Sequence, residues 1–403
     1  MILHVKPAPM PVDRPDDARF SSGPCKKRPN WSLANLQNAP LGRSHRHEIG
    51  KQRLQQAIDL SRQLLQIPDD YRIGITAASD TGAMEMALWS LLGPKPVDVL
   101  VWESFGKGWA TDICQQLKLS DVRVLDAAYG ALPDLDDVRK DADVVFTWNG
   151  TTSGVRVPNG DWIADERSGL TICDATSAAF AQGLDWNKLD VATWSWQKVM
   201  GGEAAHGMIA LSPRAVQRLE SHTPAWPVPK IFRLTKNGKI NESFFTGSTI
   251  NTPSMLCVED YLDTLNWGLS IGGLQALHKR CDDNLAVLKE WVSQTSWVDF
   301  LCTDPKTRSN TAVCLQFADS EVRSLPVGEQ KALVKRMSAL LEQEAVAFDI
   351  GGYRDAPPGL RIWCGATIEQ SDLQLLTPWL DWAYHKALAA YSPSTQKVGT
   401  EQS

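Results

Sequence analysis

The sequence predicts an α/β protein with a mostly parallel sheet in a large domain and a smaller α+β domain after it. Three observations predict this. Short β-prone apolar runs alternate with segments of helical spacing between about residues 71 and 211, the pattern of parallel strands covered by helices on both faces. From about Tyr261 the texture changes to long amphipathic helices with occasional strands. At 403 residues, 43% hydrophobic and 22% charged, the chain is long enough and apolar enough for two cores.

Residues 1–19 read as an irregular arm, because Pro7, Pro9, Pro11 and Pro15 interrupt regular structure. The large domain spans 20–260. Its first strand is Tyr71–Ala77, and Gly82–Leu92 follows as a helix with Met84, Ala87, Leu88, Leu91 and Leu92 on one face. Val97–Trp102 is a strand and Trp109–Leu117 a helix. Val122–Leu125, Asp143–Trp148, Leu170–Asp174, Val191–Trp196 and Gly207–Leu211 complete a seven-stranded set. The small domain spans 261–390. A helix over Asp260–Leu274 connects the two, Leu285–Thr295 and Gly328–Glu344 are further helices, and Ala312–Gln316 and Leu360–Trp363 are strands. Residues 391–403 are polar and read as a disordered tail. No internal repeat is visible.

Composition excludes several functions. A net charge of −6 leaves no basic footprint for nucleic acid. No apolar run approaches a membrane span, and the N-terminus has no apolar h-region. The eight cysteines are scattered singly without a C-x-x-C pair, so neither a metal site nor a disulfide framework is expected. They read as small buried hydrophobes in a reducing, cytoplasmic setting.

The chemistry gathers at strand ends, where open α/β sheets collect their ligands. Val191-Ala-Thr-Trp-Ser-Trp-Gln-Lys198 runs from a strand into a lysine and then Gly201-Gly202. Burial drives such a lysine toward the neutral, nucleophilic amine that Schiff-base chemistry requires. Leu170-Thr-Ile-Cys-Asp174 ends in a carboxylate, which in isolation also serves as a helix N-cap. A lysine forming an imine and an aspartate facing a pyridinium nitrogen are the two groups a pyridoxal-phosphate site needs most. Ser79-Asp80-Thr81-Gly82 opens a helix, a place for an anion or simply a cap. Thr147-Trp-Asn149-Gly-Thr151-Thr152-Ser153-Gly154 offers hydroxyls and an amide on a glycine-bounded loop, which reads equally as a plain turn.

At these residues the chain resembles the phosphoserine aminotransferase family, class V of the fold-type I pyridoxal-phosphate enzymes. The resemblance runs through Phe20-Ser-Ser-Gly-Pro24, Ser44-His45-Arg46, Cys173-Asp174-Ala-Thr-Ser177, Gln197-Lys198, Asn251-Thr252-Pro253, Gly352-Tyr-Arg354 and Leu360-Arg361. It implies pyridoxal 5′-phosphate as cofactor, with Lys198 as the imine lysine and proton shuttle and Asp174 on the ring nitrogen. It further implies Thr151 on the ring hydroxyl, Trp109 stacked on the ring with Phe105 as a rival, and Asp80, Thr81 and Gln197 around the phosphate. Asn251 and Thr252 would reach that phosphate from a second subunit, so a homodimer with shared sites is implied. Arg361 would hold the substrate α-carboxylate. His45 and Arg46 of the second subunit would take the distal group, with Arg354 as a further candidate. The implied substrates are glutamate and 3-phosphohydroxypyruvate, in serine biosynthesis, with a phosphorylated hydroxythreonine of pyridoxine biosynthesis as a second product.

The sequence departs from the commoner family pattern at three places. Ser79-Asp80-Thr81-Gly82 replaces a glycine-rich loop that carries an arginine, so Arg43, Lys107 or Arg354 is expected to compensate. Tyr353 stands where many relatives have histidine, and the segment Gly150–Pro158 and the N-terminal arm also differ. Another class V enzyme, such as a serine– or alanine–glyoxylate aminotransferase, is the alternative. A cysteine desulfurase needs a mobile loop cysteine, and none stands in such a loop. A nucleotide-binding module would need a Gly-x-Gly-x-x-Gly or P-loop, and neither follows the first strand.

Overall fold

The structure is a computed structural model and describes residues 9–391. The first eight residues of the expected arm, and the expected tail beyond Tyr391, lie outside the described residues. In chain order come α1 (Glu48–Leu65), β1 (Arg72–Ala77), α2 (Ser79–Leu91), β2 (Val97–Val101), α3 (Ser104–Thr111), β3 (Val122–Asp126) and β4 (Asp143–Thr147). A small hairpin, β5 (Asn149–Gly150) and β6 (Val155–Arg156), precedes β7 (Thr171–Asp174), β8 (Val191–Ser195), β9 (His206–Leu211) and α4 (Pro213–Ser221). A second hairpin, β10 (Thr235–Lys236) and β11 (Lys239–Ile240), follows.

Seven of these strands form one sheet in the order β1-β9-β8-β7-β4-β2-β3. β9 alone runs against its neighbours; β8, β7, β4, β2 and β3 pair in parallel. The strands are apolar on both faces because both faces are covered. In β8, Ala192 and Trp194 enter one core cluster and Val191 the other; in β4, Val144 and Phe146 separate from Val145 in the same way. α1 supplies Leu54, Ala57 and Ile58 to the first cluster, and α2 supplies Met84, Ala87 and Leu88 to the second.

The rest of the chain folds as α5 (Met255–Ser270), α6 (Gly273–Gln294), β12 (Val298–Phe300), β13 (Ala312–Phe317), α7 (Ser320–Arg323), α8 (Val327–Gln343), β14 (Gly359–Trp363) and α9 (Gln370–Ala389). β12, β13 and β14 form an antiparallel sheet. The N-terminal segment is extended and docks on this part: Phe348 N donates to Ala18 O at 2.8 Å and Trp363 N to Phe20 O at 3.0 Å.

Several elements differ from the sequence expectation. The helix expected at Trp109–Leu117 starts at Ser104, because the Glu103 carboxylate accepts from Gly106 N at 2.7 Å and caps it. Gly106 and Gly108 look like breakers, yet a side chain at Gly106 would sit 3.3 Å from Leu100 O, so the glycine serves close packing on β2. The expected connecting helix is α5, and a break at Gly272 and Gly273, with φ of +116° and +73°, turns the chain into α6. α6 begins twelve residues before the expected Leu285. α1, α4, α9 and β12 have no counterpart in the expectation. In α9 the apolar residues run nearly all round, and Pro378 interrupts the pattern.

The two edges of the large sheet treat buried acids differently. At the amino end of the strands every buried aspartate has an arginine: Asp143 with Arg218 at 2.9 Å, Asp190 with Arg214 at 2.8 Å, Asp98 with Arg123 at 2.7 Å. β1, β4, β7 and β8 deliver Ser79–Thr81, Thr147, Asp174 and Lys198 to the opposite, carboxyl edge. There the acids lack such partners.

Candidate active site

A cavity of ≈ 250 Å³ opens at this carboxyl edge, and Lys198, Asp174, Asp80, Thr81, Thr151, Gln197 and Trp109 all line it. A larger hollow of ≈ 360 Å³ beside α8 holds Tyr353 and Arg354 but none of the strand ends. Size does not mark the site, since surface hollows of ≈ 530 and ≈ 480 Å³ lie elsewhere on the molecule. The titratable groups choose the cavity at the carboxyl edge.

Lys198 follows β8 and is 9% exposed. Its Nζ donates to Ser22 O. Burial pushes the amine below its ordinary value, Arg361 adds to this, and Cys25, Asp174 and Glu103 oppose it. The approach depends on Gly23, where a Cβ would lie 2.5 Å from Nζ.

Asp174 closes β7 and accepts from Thr176 N at 2.9 Å and from Trp109 Nε1 at 3.2 Å. Trp109 therefore meets Asp174 through its ring edge, deep in the second core cluster. Phe105, one turn earlier in α3, is 38% exposed, lines the cavity and lies 5.9 Å from the Tyr353 ring. Both rings weighed from sequence line the cavity, and Phe105 is the more exposed of the two.

Thr151 and Asn149 are held from behind. Thr151 Oγ1 and Asn149 Nδ2 each donate to Ser177 Oγ at 2.8 Å, and Gln182 Nε2 fixes the Asn149 amide at 3.0 Å. Glu103, which the sequence reading missed, also lines the cavity. It accepts from Thr152 Oγ1 at 2.9 Å, and burial pushes it up to about 7. Its partner lies far along the chain, so no local signal marks it.

The α2 N-terminus presents Ser79, Asp80 and Thr81 to the cavity after a left-handed turn at Ala78, φ +62°. The Asp80 carboxyl group is turned toward Asp174. Thr147 Oγ1, Thr176 Oγ1, Ser195 Oγ, Gln197 Oε1 and Asp80 Oδ1 line this space without a hydrogen-bond partner. Buried polar atoms without partners are rare, and five around one cavity mark a site built for a polar ligand.

The remaining expected residues do not line this cavity. Arg361, on β14, lies near enough for its charge to act on Lys198 and Cys25. Its Nε has no partner, and no ion pair engages it among the described residues. Arg354 is 80% exposed at its side chain and makes a loose 3.6 Å pair with Asp355. Asn251 and Thr252 sit on a loop anchored by Ser254 N to His206 Nε2 at 3.0 Å. His45 is buried with Nε2 unpartnered, and Arg46 is exposed.

A mostly parallel sheet with a buried lysine and a buried aspartate at adjacent strand ends defines the class: a fold-type I transferase. No family model matches the chain. The chain is 59% identical over 375 residues to the phosphoserine aminotransferase of Methanosarcina barkeri, covering 93% of this chain and 99% of that one. It is 59% identical over 374 residues to the same enzyme of Methanosarcina mazei, with 93% and 98% covered. Among solved structures, a phosphoserine aminotransferase from Cytophaga hutchinsonii superposes with a TM-score of 0.77 at 22% identity, over 91% of this chain and 98% of that one. The PLP-bound phosphoserine aminotransferase from Trichomonas vaginalis gives 0.72 at 17%, over 91% and 99%. The chain belongs to the phosphoserine aminotransferase family.

Proposed function

We propose that the chain catalyses reversible transfer of an amino group between L-glutamate and 3-phosphohydroxypyruvate, giving O-phospho-L-serine and 2-oxoglutarate in serine biosynthesis, with pyridoxal 5′-phosphate as cofactor. The observation that carries this reading is the buried Lys198 and Asp174 on one cavity wall, in a chain 59% identical to named phosphoserine aminotransferases.

The residues fit the cofactor. The unpartnered hydroxyls of Ser195 and Thr176, with the free N–H groups of the first turn of α2, suit a phosphate. When bound, pyridoxal phosphate supplies an aldehyde that takes up an amine and a ring that draws electrons from the substrate's Cα. Lys198 Nζ, pushed toward the neutral amine, would hold the cofactor at its aldehyde group and would move the proton at the substrate's Cα. Asp174 holds a proton on the ring nitrogen, and Trp109 and the Thr176 N–H keep its carboxylate aimed. Thr151 would hydrogen-bond the ring hydroxyl and Phe105 would cover the ring. Thr81 and Gln197 grip the phosphate by side chain, Asp80 by its backbone N–H. Arg361 takes the substrate's α-carboxylate as a planar fork.

We take residues 20–260 and 261–390 as the two domains. His45, Arg46, Asn251 and Thr252 complete the site of a second subunit in a homodimer. Eight unpaired cysteines fit a reducing, cytoplasmic location. Half-reaction kinetics of the aminated protein against 3-phosphohydroxypyruvate, glyoxylate and pyruvate test the acceptor; faster reaction with glyoxylate or pyruvate overturns it. Mixed dimers of Lys198→Ala and Arg46→Ala chains recover part of the activity if sites are shared, and none if they are not.

A further inference from the structure

Two carboxyl groups meet on the wall of the cavity. Asp80, in the first turn of α2, is 6% exposed and Asp174 is 7% exposed; the two adjoin. Asp174 is engaged as an acceptor by two N–H donors, the pattern of a carboxylate. The polar groups that face Asp80 besides Asp174 are the hydroxyls of Thr176 and Thr193, which carry no charge. At the other edge of the same sheet, Asp98, Asp143 and Asp190 are each neutralised by arginine. No cation is hydrogen-bonded to Asp80 or Asp174 among the described residues.

Two like charges 4 Å apart repel by about 4 kcal/mol even at an effective dielectric of 20. With no cation hydrogen-bonded to either group, and the Lys198 amine pushed by burial toward its neutral form, the pair carries one proton between two carboxyl groups. The N–H donors have already claimed Asp174 as the anion.

We propose that Asp80 is a positioning residue: its carboxyl group keeps its proton, donates it to Asp174, and joins Trp109 Nε1 and Thr176 N–H in a three-donor cage around the Asp174 carboxylate. Burial raises Asp80 well above the usual carboxylate range, the neighbouring charge of Asp174 raises it further, and the two threonine hydroxyls oppose both. The other titratable groups around the pair are Cys173 on β7, Glu103 ahead of α3 and Lys198 after β8. The arrangement has a consequence that rests on the cofactor reading above. Each donor fixes the Asp174 carboxylate in one orientation, so that it would face the ring nitrogen and hold a proton there. A neutral Asp80 also leaves the α2 N-terminus free for a phosphate, which an ionised carboxylate there would repel.

Infrared difference spectroscopy of wild type against Asp80→Asn, first without cofactor and then reconstituted, tests the pair. The expected result is a protonated-carboxyl band at neutral pH, shifted in deuterium oxide and absent from Asp80→Asn. Labelling with ¹³C-aspartate separates it from Glu103, and makes the wild type informative if the variant does not fold. Absence of the band, or its survival in Asp80→Asn, overturns the proposal. In protein loaded with ¹⁵N-labelled cofactor, Asp80→Asn keeps an amide donor and the wild-type ring-nitrogen titration. Asp80→Leu loses about tenfold in ring-nitrogen proton affinity, the worth of one hydrogen bond to a charged group; no change in Asp80→Leu overturns the positioning role. Because the band is read without cofactor, it stands or falls independently of the cofactor reading.

Discussion

Trp109 Nε1 donates to Asp174 Oδ2 at 3.2 Å, joining the middle of α3 to the end of β7. This contact makes Trp109 a support for the carboxylate. In Trp109→Phe the ring volume remains and the donor is lost, so kcat/KM falls about tenfold, as expected for one charge-assisted hydrogen bond, with little change in cofactor affinity. In Phe105→Ala the pattern reverses: cofactor dissociation rises about tenfold from the lost aromatic face and kcat changes little. Steady-state kinetics and a cofactor titration of both variants read the difference. Equal effects on both parameters in both variants would remove the distinction.

Gly23 is where Lys198 needs empty space. A Cβ there would meet Lys198 Nζ at 2.5 Å and Cε at 3.3 Å. The clashing atoms are the far end of a flexible side chain, so the contact itself costs little, but the backbone at φ +155° favours glycine and makes Gly23→Ala cost about 1–3 kcal/mol of stability. The amine cannot move without leaving its working position, and a displacement of this kind costs roughly 100-fold in kcat. Single-turnover rates on the folded variant, at a temperature below its unfolding transition, decide it; an unchanged rate would show that Lys198 does not need this space.

The strand ends were legible because each is an apolar run that stops at a polar residue, as in Thr-Ile-Cys-Asp174. The resemblance then supplied roles that no single residue announces. What local sequence could not show was long-range pairing. Glu103 reads as an ordinary surface acid until Thr152, in the β5–β6 hairpin, closes on it. Asp80 reads as a helix cap until the sheet brings β7 beside α2. α1 stayed hidden because Gly50 and Ser61 sit on its buried face and break the apolar stripe.

Glu103 makes stability depend on pH. Its value is raised from 4.5 to about 7, chiefly by burial. The unfolded chain therefore releases this proton at lower pH than the folded protein does, and folding must work against ionisation. The penalty is absent below 4.5, grows as pH rises, and levels off above about 7, at on the order of 3 kcal/mol. Glu103→Gln keeps an oxygen for Gly106 N and removes the ionisation. Urea midpoints across this range are expected to fall less steeply for the variant than for wild type. Parallel curves would show that Glu103 carries no such penalty.

His206 acts in the opposite direction. Its Nε2 accepts from Ser254 N at 3.0 Å, which leaves the ring proton on Nδ1 facing Thr76 O at 3.3 Å. That tautomer is neutral, and burial holds the ring below the ordinary value of 6.5, against the pull of the Thr76 bond. Below 6.5 the unfolded chain gains a proton that the folded protein resists, so stability falls as pH drops through that value. His206→Phe removes this acid-side loss while freeing the Asn251–Ser254 loop. Comparing unfolding midpoints just above and below 6.5 tests the first effect, and a lowered dimer affinity tests the second, since the loop is proposed to reach the other subunit.

Arg361 is expected to separate stability from function. It stands on β14 opposite Cys314, with its Nε unpartnered and its guanidinium 5.5 Å from the Tyr353 ring. An arginine placed for packing would have a carboxylate, as Arg218, Arg214 and Arg123 do. Arg361 has none among the described residues, so in the free protein its charge is a liability that only an anionic substrate relieves. Arg361→Gln should therefore leave the melting temperature unchanged or slightly raised. The KM for glutamate and for 3-phosphohydroxypyruvate should both rise about 100-fold or more, the loss of a bidentate charged contact. Arg361→Lys keeps the charge without the fork and should fall between the two. A destabilised Arg361→Gln with unchanged KM would mean that the guanidinium is held by packing and that another cation, with Arg43 and Lys107 the next to test, receives the substrate carboxylate.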